Sequence, residues 1–106
     1  MASEQTILFN YNKAVGQADD LLDIAKEIRS VANNKMESSI QTIDKNWDGE
    51  SSKKFIKKSV KLKEKVTDSA DDIEAIAQAI KKMAKEIYDA EMKAVQIAKE
   101  RAAKLS

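Results

Sequence analysis

Three groups of side chains in this 106-residue chain are of types that could do chemistry. Asp68, Asp71, Asp72 and Glu74 form an acidic run, and Asp68 and Asp72, four apart, would share one face of a helix. Paired carboxylates can act as an acid/base couple or hold a cation. Ser38-Ser39 and Ser51-Ser52 offer hydroxyls as nucleophiles. Lys53, Lys54, Lys57, Lys58, Lys61, Lys63 and Lys65 gather positive charge that suits an acidic partner, an anionic lipid surface or a phosphate backbone. Each group lacks its complement. The chain has no His and no Cys, so the serines have no ordinary activating base. The Glu-x-x-His pairs of bundle metal sites cannot form either, and thiol and disulfide chemistry are excluded. The lysine cluster contains no Arg, and its one aromatic, Phe55, falls in core phase, which argues against nucleic acid. The residues therefore predict a protein that is not an enzyme and uses no metal or cofactor. The lysines read as a solvated face that pairs with acidic residues of the first half such as Asp19, Asp20 and Asp23.

The elements that must position these groups are helices. There is no Pro, only two Gly, and 35% of the residues are charged; such a composition describes a largely helical chain. The net charge of +1 excludes a strongly basic or acidic protein. Residues 1–49 nevertheless carry 5 Lys/Arg against 8 Asp/Glu, and residues 50–106 carry 14 against 10. The longest fully apolar run, Ile7-Leu8-Phe9, is too short for a membrane span or a signal-peptide core. Export, if it occurs, would not use a cleavable signal, and membrane insertion is not expected.

Apolar residues recur in alternating steps of three and four through Tyr11, Ala14, Ala18, Leu21, Ala25, Ile28 and Ala32, the pattern of a seam between packed helices. The step becomes four and four through Met36 and Ile40 before returning through Ile43 to Trp47. Such a stutter unwinds a supercoil locally, here beside the weak helix formers Asn33 and Asn34, so a gentle bend is expected there. After Gly49 the pattern resumes through Phe55, Leu62, Val66, Ile73, Ile76, Ile80, Met83 and Ile87, with a flanking row of Ile56, Val60, Ala70, Ala77 and Ala84. The interface seam is thus predicted at Leu21, Ile28, Phe55, Leu62, Val66, Ile73, Ile76, Ile80, Met83 and Ile87.

One domain is predicted. It has an extended lead-in over 1–10, a first helix over about 11–46 capped by Asn10 or Asn12, a turn over 47–50, and a second helix over about 51–104. At 1.5 Å per residue the helices are roughly 50 and 80 Å long, so the second should overhang from about Val95. The expected fold is all-α, an antiparallel helix-turn-helix hairpin. A lone hairpin buries little surface, so assembly with a second copy or a relative into a four-helix bundle is expected.

The turn holds the chain's one Trp and one of its two Gly. Gly49 suits the left-handed conformation that ends helices, and Asp48 or Ser51 could cap the second helix. Trp47 and Phe55 should meet at the hairpin end and close the core.

In length, layout and central Trp47-Asp48-Gly49, the chain resembles the WXG100 family of early-secreted-antigen-like proteins. The resemblance implies a helical hairpin that dimerises and is a substrate or partner of a type VII secretion system. Such a protein is cytoplasmic before export, then secreted or at the cell surface. Many relatives carry a Tyr-x-x-x-Asp/Glu signal after the second helix. Here Tyr88 precedes Met92 by four and Glu91 by three, while Ile87 stands four before Glu91. Ile87, Tyr88 and Glu91 are therefore the candidate export-recognition patch, with the aromatic shifted by one. The departure fits relatives that accompany LXG-type toxins, pairing with the toxin's helical N-terminal domain. A secretion ATPase is the further partner implied. A freestanding secreted homodimer and a coiled-coil scaffold without a secretion role are the alternative readings.

Overall fold

The computed structural model describes residues 3–105. Apart from Ser3 and the turn they are all helical, with no strand among the described residues: α1 (Glu4–Ser30), a π-helical stretch (Val31–Met36), α2 (Glu37–Asn46) and α3 (Glu50–Leu105).

The expected lead-in is a correction. Residues 4–10 belong to α1, which starts at Glu4 rather than near Tyr11. The cap is Ser3, not Asn10 or Asn12: its hydroxyl oxygen accepts the Thr6 N–H at 3.1 Å, satisfying a first-turn donor that has no partner inside the helix. The periodicity agrees, because the three–four step runs back from Tyr11 to Ile7, which is 2% exposed. The rest of the expected lead-in, Met1 and Ala2, lies outside the described residues.

The stutter has a definite form. Ala18, Ala25 and Ala32 recur every seven residues and are fully buried, but the next buried position is Ile40, eight on. A π turn absorbs one extra residue by bonding i to i+5, and the Glu37 N–H donates to the Ala32 carbonyl five residues back. The inward line survives the mismatch without a break in the helix.

The turn is short. Trp47 is extended (φ −136°, ψ 113°) and its N–H bonds to the Ile43 carbonyl at 2.9 Å. Gly49 has φ +111°, a region costly for any residue with a Cβ. Its carbonyl accepts the Lys53 N–H at 3.2 Å and the Ser52 hydroxyl at 2.8 Å. The first turn of α3 is thus held by Gly49 and by Ser52, which is buried, rather than by a cap from Asp48 or Ser51.

The chain divides into two compact units, Met1–Asp20 with Ile76–Ser106, and Leu21–Ala75. In the first, Glu4 pairs with Lys99, Tyr11 meets Tyr88 and Asp19 pairs with Lys81, so the two segments run antiparallel. Ile7, Ala18, Ala77, Ala84 and Val95 are its buried apolar residues. Val95 was expected to overhang; it is buried because α1 starts a full two turns earlier than the capping residues suggested. In the second unit Arg29 pairs with Asp71, Glu37 with Lys63, and Trp47 meets Phe55, again antiparallel. Its buried residues are Ala25, Ala32, Ile40, Ser52 and Ala70.

Both cores are therefore built mainly of alanine. One buried methyl contributes only about 0.8 kcal/mol, against roughly 1.5–3 for a fully buried Leu, Ile, Phe or Met. The large side chains lie elsewhere. Phe55, Leu62, Ile76, Met83 and Ile87 are 46–57% exposed. The row expected to flank the seam, Ala70, Ala77 and Ala84, is the line that faces the chain's own first helix. The bulky seam positions on α3 sit to one side of it.

Candidate functional site

At 100° per residue, Ile73, Ile76, Ile80, Met83 and Ile87 fall on one side of the inward Ala77–Ala84 line, and Glu74, Lys81 and Lys85 on the other. The first helix is divided likewise, with Leu21, Ile24, Ile28 and Val31 to one side of Ala25 and Ala32, and Arg29 to the other. In the Leu21–Ala75 unit the two apolar sides meet on one face. Met36, Ile40 and Ile43 line an open groove of about 270 Å³ together with Phe55 and Leu62.

The opposite face carries ion pairs. The Arg29 guanidinium donates to Asp71 at 2.7 Å and also to Glu74, and Lys63 Nζ donates to Glu37 at 2.8 Å. In the other unit Lys81 pairs with Asp19 at 2.5 Å and Lys99 with Glu4. Hydrogen bonds from Lys63 and then Gln41 hold the Glu37 carboxyl below its ordinary range, and the Asp71 and Glu74 carboxylates hold the Arg29 guanidinium above its own. Ion pairs this exposed are screened by solvent and contribute little to stability. Their value here is register, because each pairs unlike charges in only one alignment of the antiparallel segments.

These pairs account for part of the acidic run. Asp71 and Glu74 are the counter-charges of Arg29, a residue the sequence reading did not single out. Among the described residues no cluster of three or more His, Cys, Asp or Glu gathers in a way that could hold a metal ion. The expected partners of the lysine cluster are also corrected. Asp19 pairs with Lys81, and among the described residues neither Asp20 nor Asp23 forms an ion pair with the cluster. Antiparallel alignment sets the start of α3 beside residues near Glu37, not beside the middle of α1.

Trp47 and Phe55 do meet, with ring centroids 5.9 Å apart and planes at 52°. They do not seal the core, since each is 46% exposed. They form an aromatic step at the edge of the apolar face beside the Gly49 turn.

Ile87, Tyr88 and Glu91 are brought together. They line a groove of about 260 Å³ with Ile7, Tyr11 and Ala14 of α1. Tyr88 is half-buried and packs on Tyr11 at 5.0 Å between centroids, tilted by 41°. Lys85 Nζ lies 5.3 Å above the Tyr88 ring and donates to Asp89 at 2.8 Å. Asp89 holds the Lys85 ammonium above its ordinary range. The displaced aromatic is thus anchored by α1, leaving Ile87 exposed and Glu91 half-exposed at the groove mouth. Tyr11 completes this patch and was read from sequence only as a seam residue.

No helix among the described residues is long and apolar enough to cross a membrane. Comparison with curated proteins and with solved structures returns no match. The family model described as "Proteins of 100 residues with WXG" matches residues 9–92, a span that holds the Trp47-Asp48-Gly49 turn, Tyr11 and Tyr88. The chain, a helical hairpin carrying Trp-x-Gly at its turn, belongs to the WXG100 family.

Proposed function

We propose that this protein is a small partner of a type VII secretion system that acts by protein–protein contact and catalyses nothing. It joins a second helical hairpin, a copy or a relative, through its apolar face to form a four-helix bundle. In that form it helps target a larger LXG-type toxin, through the toxin's helical N-terminal domain, to the secretion ATPase. The protein is made in the cytoplasm and ends outside the cell or at its surface. Family membership supports the secreted, type VII part of this reading.

The observation that carries the remainder is an inversion of the usual packing. Small residues fill the space between the chain's own helices, while Phe55, Leu62, Ile76, Met83 and Ile87 stay about half exposed. Apolar faces of this kind mark interaction sites, and an amphipathic hairpin is the shape that covers a helical stripe in bundle packing. The shifted aromatic favours the toxin-accompanying role, because Tyr88 is held against Tyr11 rather than standing free.

The test is export of the toxin from cells carrying Trp47→Ala or Tyr88→Ala, with helicity of the purified variants as a control. Loss of toxin export with the helix content intact supports the adaptor reading. Loss of the small protein's own export, with toxin export unaffected, would replace it with a freestanding secreted dimer. A small protein that stays in the cell, with toxin export untouched by either variant, would reduce it to a scaffold.

A further inference from the structure

The lysines at the start of α3 serve neither face described above. Lys63 points inward to Glu37. Lys54, Lys57, Lys58, Lys61 and Lys65 fall within an arc of about 100° of the helix circumference, opposite the inward line of Ser52 and Lys63, and extend over about 16 Å. All five are exposed, and among the described residues none forms an ion pair. They lie on the outer side of α3; Phe55 is about 60° and Leu62 about 40° around the helix from the nearest of them, Lys58, so a hairpin seated on the apolar face leaves the middle of the stripe, Lys54, Lys61 and Lys65, in water.

We infer that this stripe docks the protein peripherally on a bilayer surface rich in anionic lipid headgroups. The chemistry favours a diffuse anionic plane over a single bound anion. Lysine is a hydrated point charge on a flexible stem, and the stretch has no Arg fork to grip one phosphate or carboxylate from two directions. No aromatic interleaves the stripe to stack a nucleobase. The outer side of a helix is convex, so five long side chains meet a surface rather than enclose a ligand. The footprint has defined ends. Residues 44–65 hold eight lysines against four carboxylates, whereas residues 66–76 hold Asp68, Asp71, Asp72 and Glu74 with no Lys or Arg. This association is superficial and separate from spanning.

The test is co-sedimentation of the full chain with vesicles of phosphatidylcholine alone or with roughly a third phosphatidylglycerol. Binding is expected to the anionic vesicles only, and to vanish between about 0.1 M and about 1 M salt as the screening length falls from ~10 to ~3 Å. Each lysine near such a surface is worth about a fivefold change in partition coefficient. The triple variant K57Q/K58Q/K61Q should therefore bind on the order of 100-fold more weakly with unchanged circular dichroism, and K13Q/K26Q, on exposed positions of α1 rather than α3, should bind as the parent does. No preference for anionic vesicles, or full binding by a folded triple variant, would overturn the inference. Tighter binding to duplex DNA than to vesicles at equal salt would overturn it too, by making nucleic acid the ligand. Headgroup and salt dependence of the unmodified chain decide the matter even if a variant unfolds.

Discussion

Met83→Ser probes the apolar face without disturbing the hairpin. Met83 is 54% exposed, so about half of its side chain remains to be covered by a partner. Full burial of such a side chain is worth roughly 1.5–3 kcal/mol, which leaves about 1 kcal/mol for the interface. A symmetric pair loses that twice, about 2 kcal/mol or roughly 30-fold in the dissociation constant, while a heteromer carrying one altered hairpin loses about fivefold. Sedimentation equilibrium across a dilution series measures the constant. Helix content measured in parallel should stay unchanged, because the inward neighbours Ala77 and Ala84 are untouched. The size of the effect therefore also separates self-pairing from pairing with a relative. An unaltered dissociation constant with intact helicity would refute the assignment of this face, as would a helix loss as large as that of Ala77→Leu. That overpacking substitution at a buried site should cost about 1–3 kcal/mol of folding stability.

Further outcomes are expected from the same structure. The two glycines should respond oppositely to Ala in chemical denaturation. Gly16, exposed within α1 with no atom near its missing Cβ, should gain about 0.5–1 kcal/mol. Gly49, at φ +111°, should lose about 1–3 kcal/mol although it too has open space. Deleting Asn34 should convert the π-helical stretch to α-helix and place Ile40 seven residues after Ala32, holding or raising the melting temperature. Deleting Lys26 from regular α1 rotates the following inward line by about 100° and should collapse it. Glu37, held below the ordinary glutamate pKa of about 4.3 by Lys63 and Gln41, binds its proton more weakly folded than unfolded. It therefore adds stability above that range, and this is lost as pH falls through and below it. Glu37→Gln should flatten that limb of a melting-temperature profile against pH.

The turn and the class of fold were legible from composition and period, because helix-ending Gly and a three–four step each have one dominant physical cause. The stutter at Ala32, Met36 and Ile40 was legible too, although its resolution as a π turn depends on hydrogen bonding that a pattern of residue types does not specify. Which apolar line faces inward was not legible. Ala70, Ala77 and Ala84 and the bulkier Ile76, Met83 and Ile87 share a period, and phase alone does not say which helix each line meets. Close approach of the two helices selects the small residues. The start of α1 was missed because Asn10 and Asn12 are good caps in isolation, whereas Ser3 with Ile7 in phase gives the longer and better buried helix. Tyr11 against Tyr88 had a readable signal. A hairpin folded about Gly49 sets residues whose numbers sum near 100 side by side, as these do. The alignment also explains why Asp19 meets Lys81 rather than the lysines of early α3.

Native mass spectrometry at micromolar concentration tests the central claim most directly, namely that the apolar face exists to be covered by another helical hairpin. The chain has a mass of 11.8 kDa. The account predicts a species of twice that mass, or a complex with a hairpin-bearing partner on co-expression, and poor helicity when neither can form. A stable, fully helical 11.8 kDa monomer that ignores every hairpin offered to it would contradict the account.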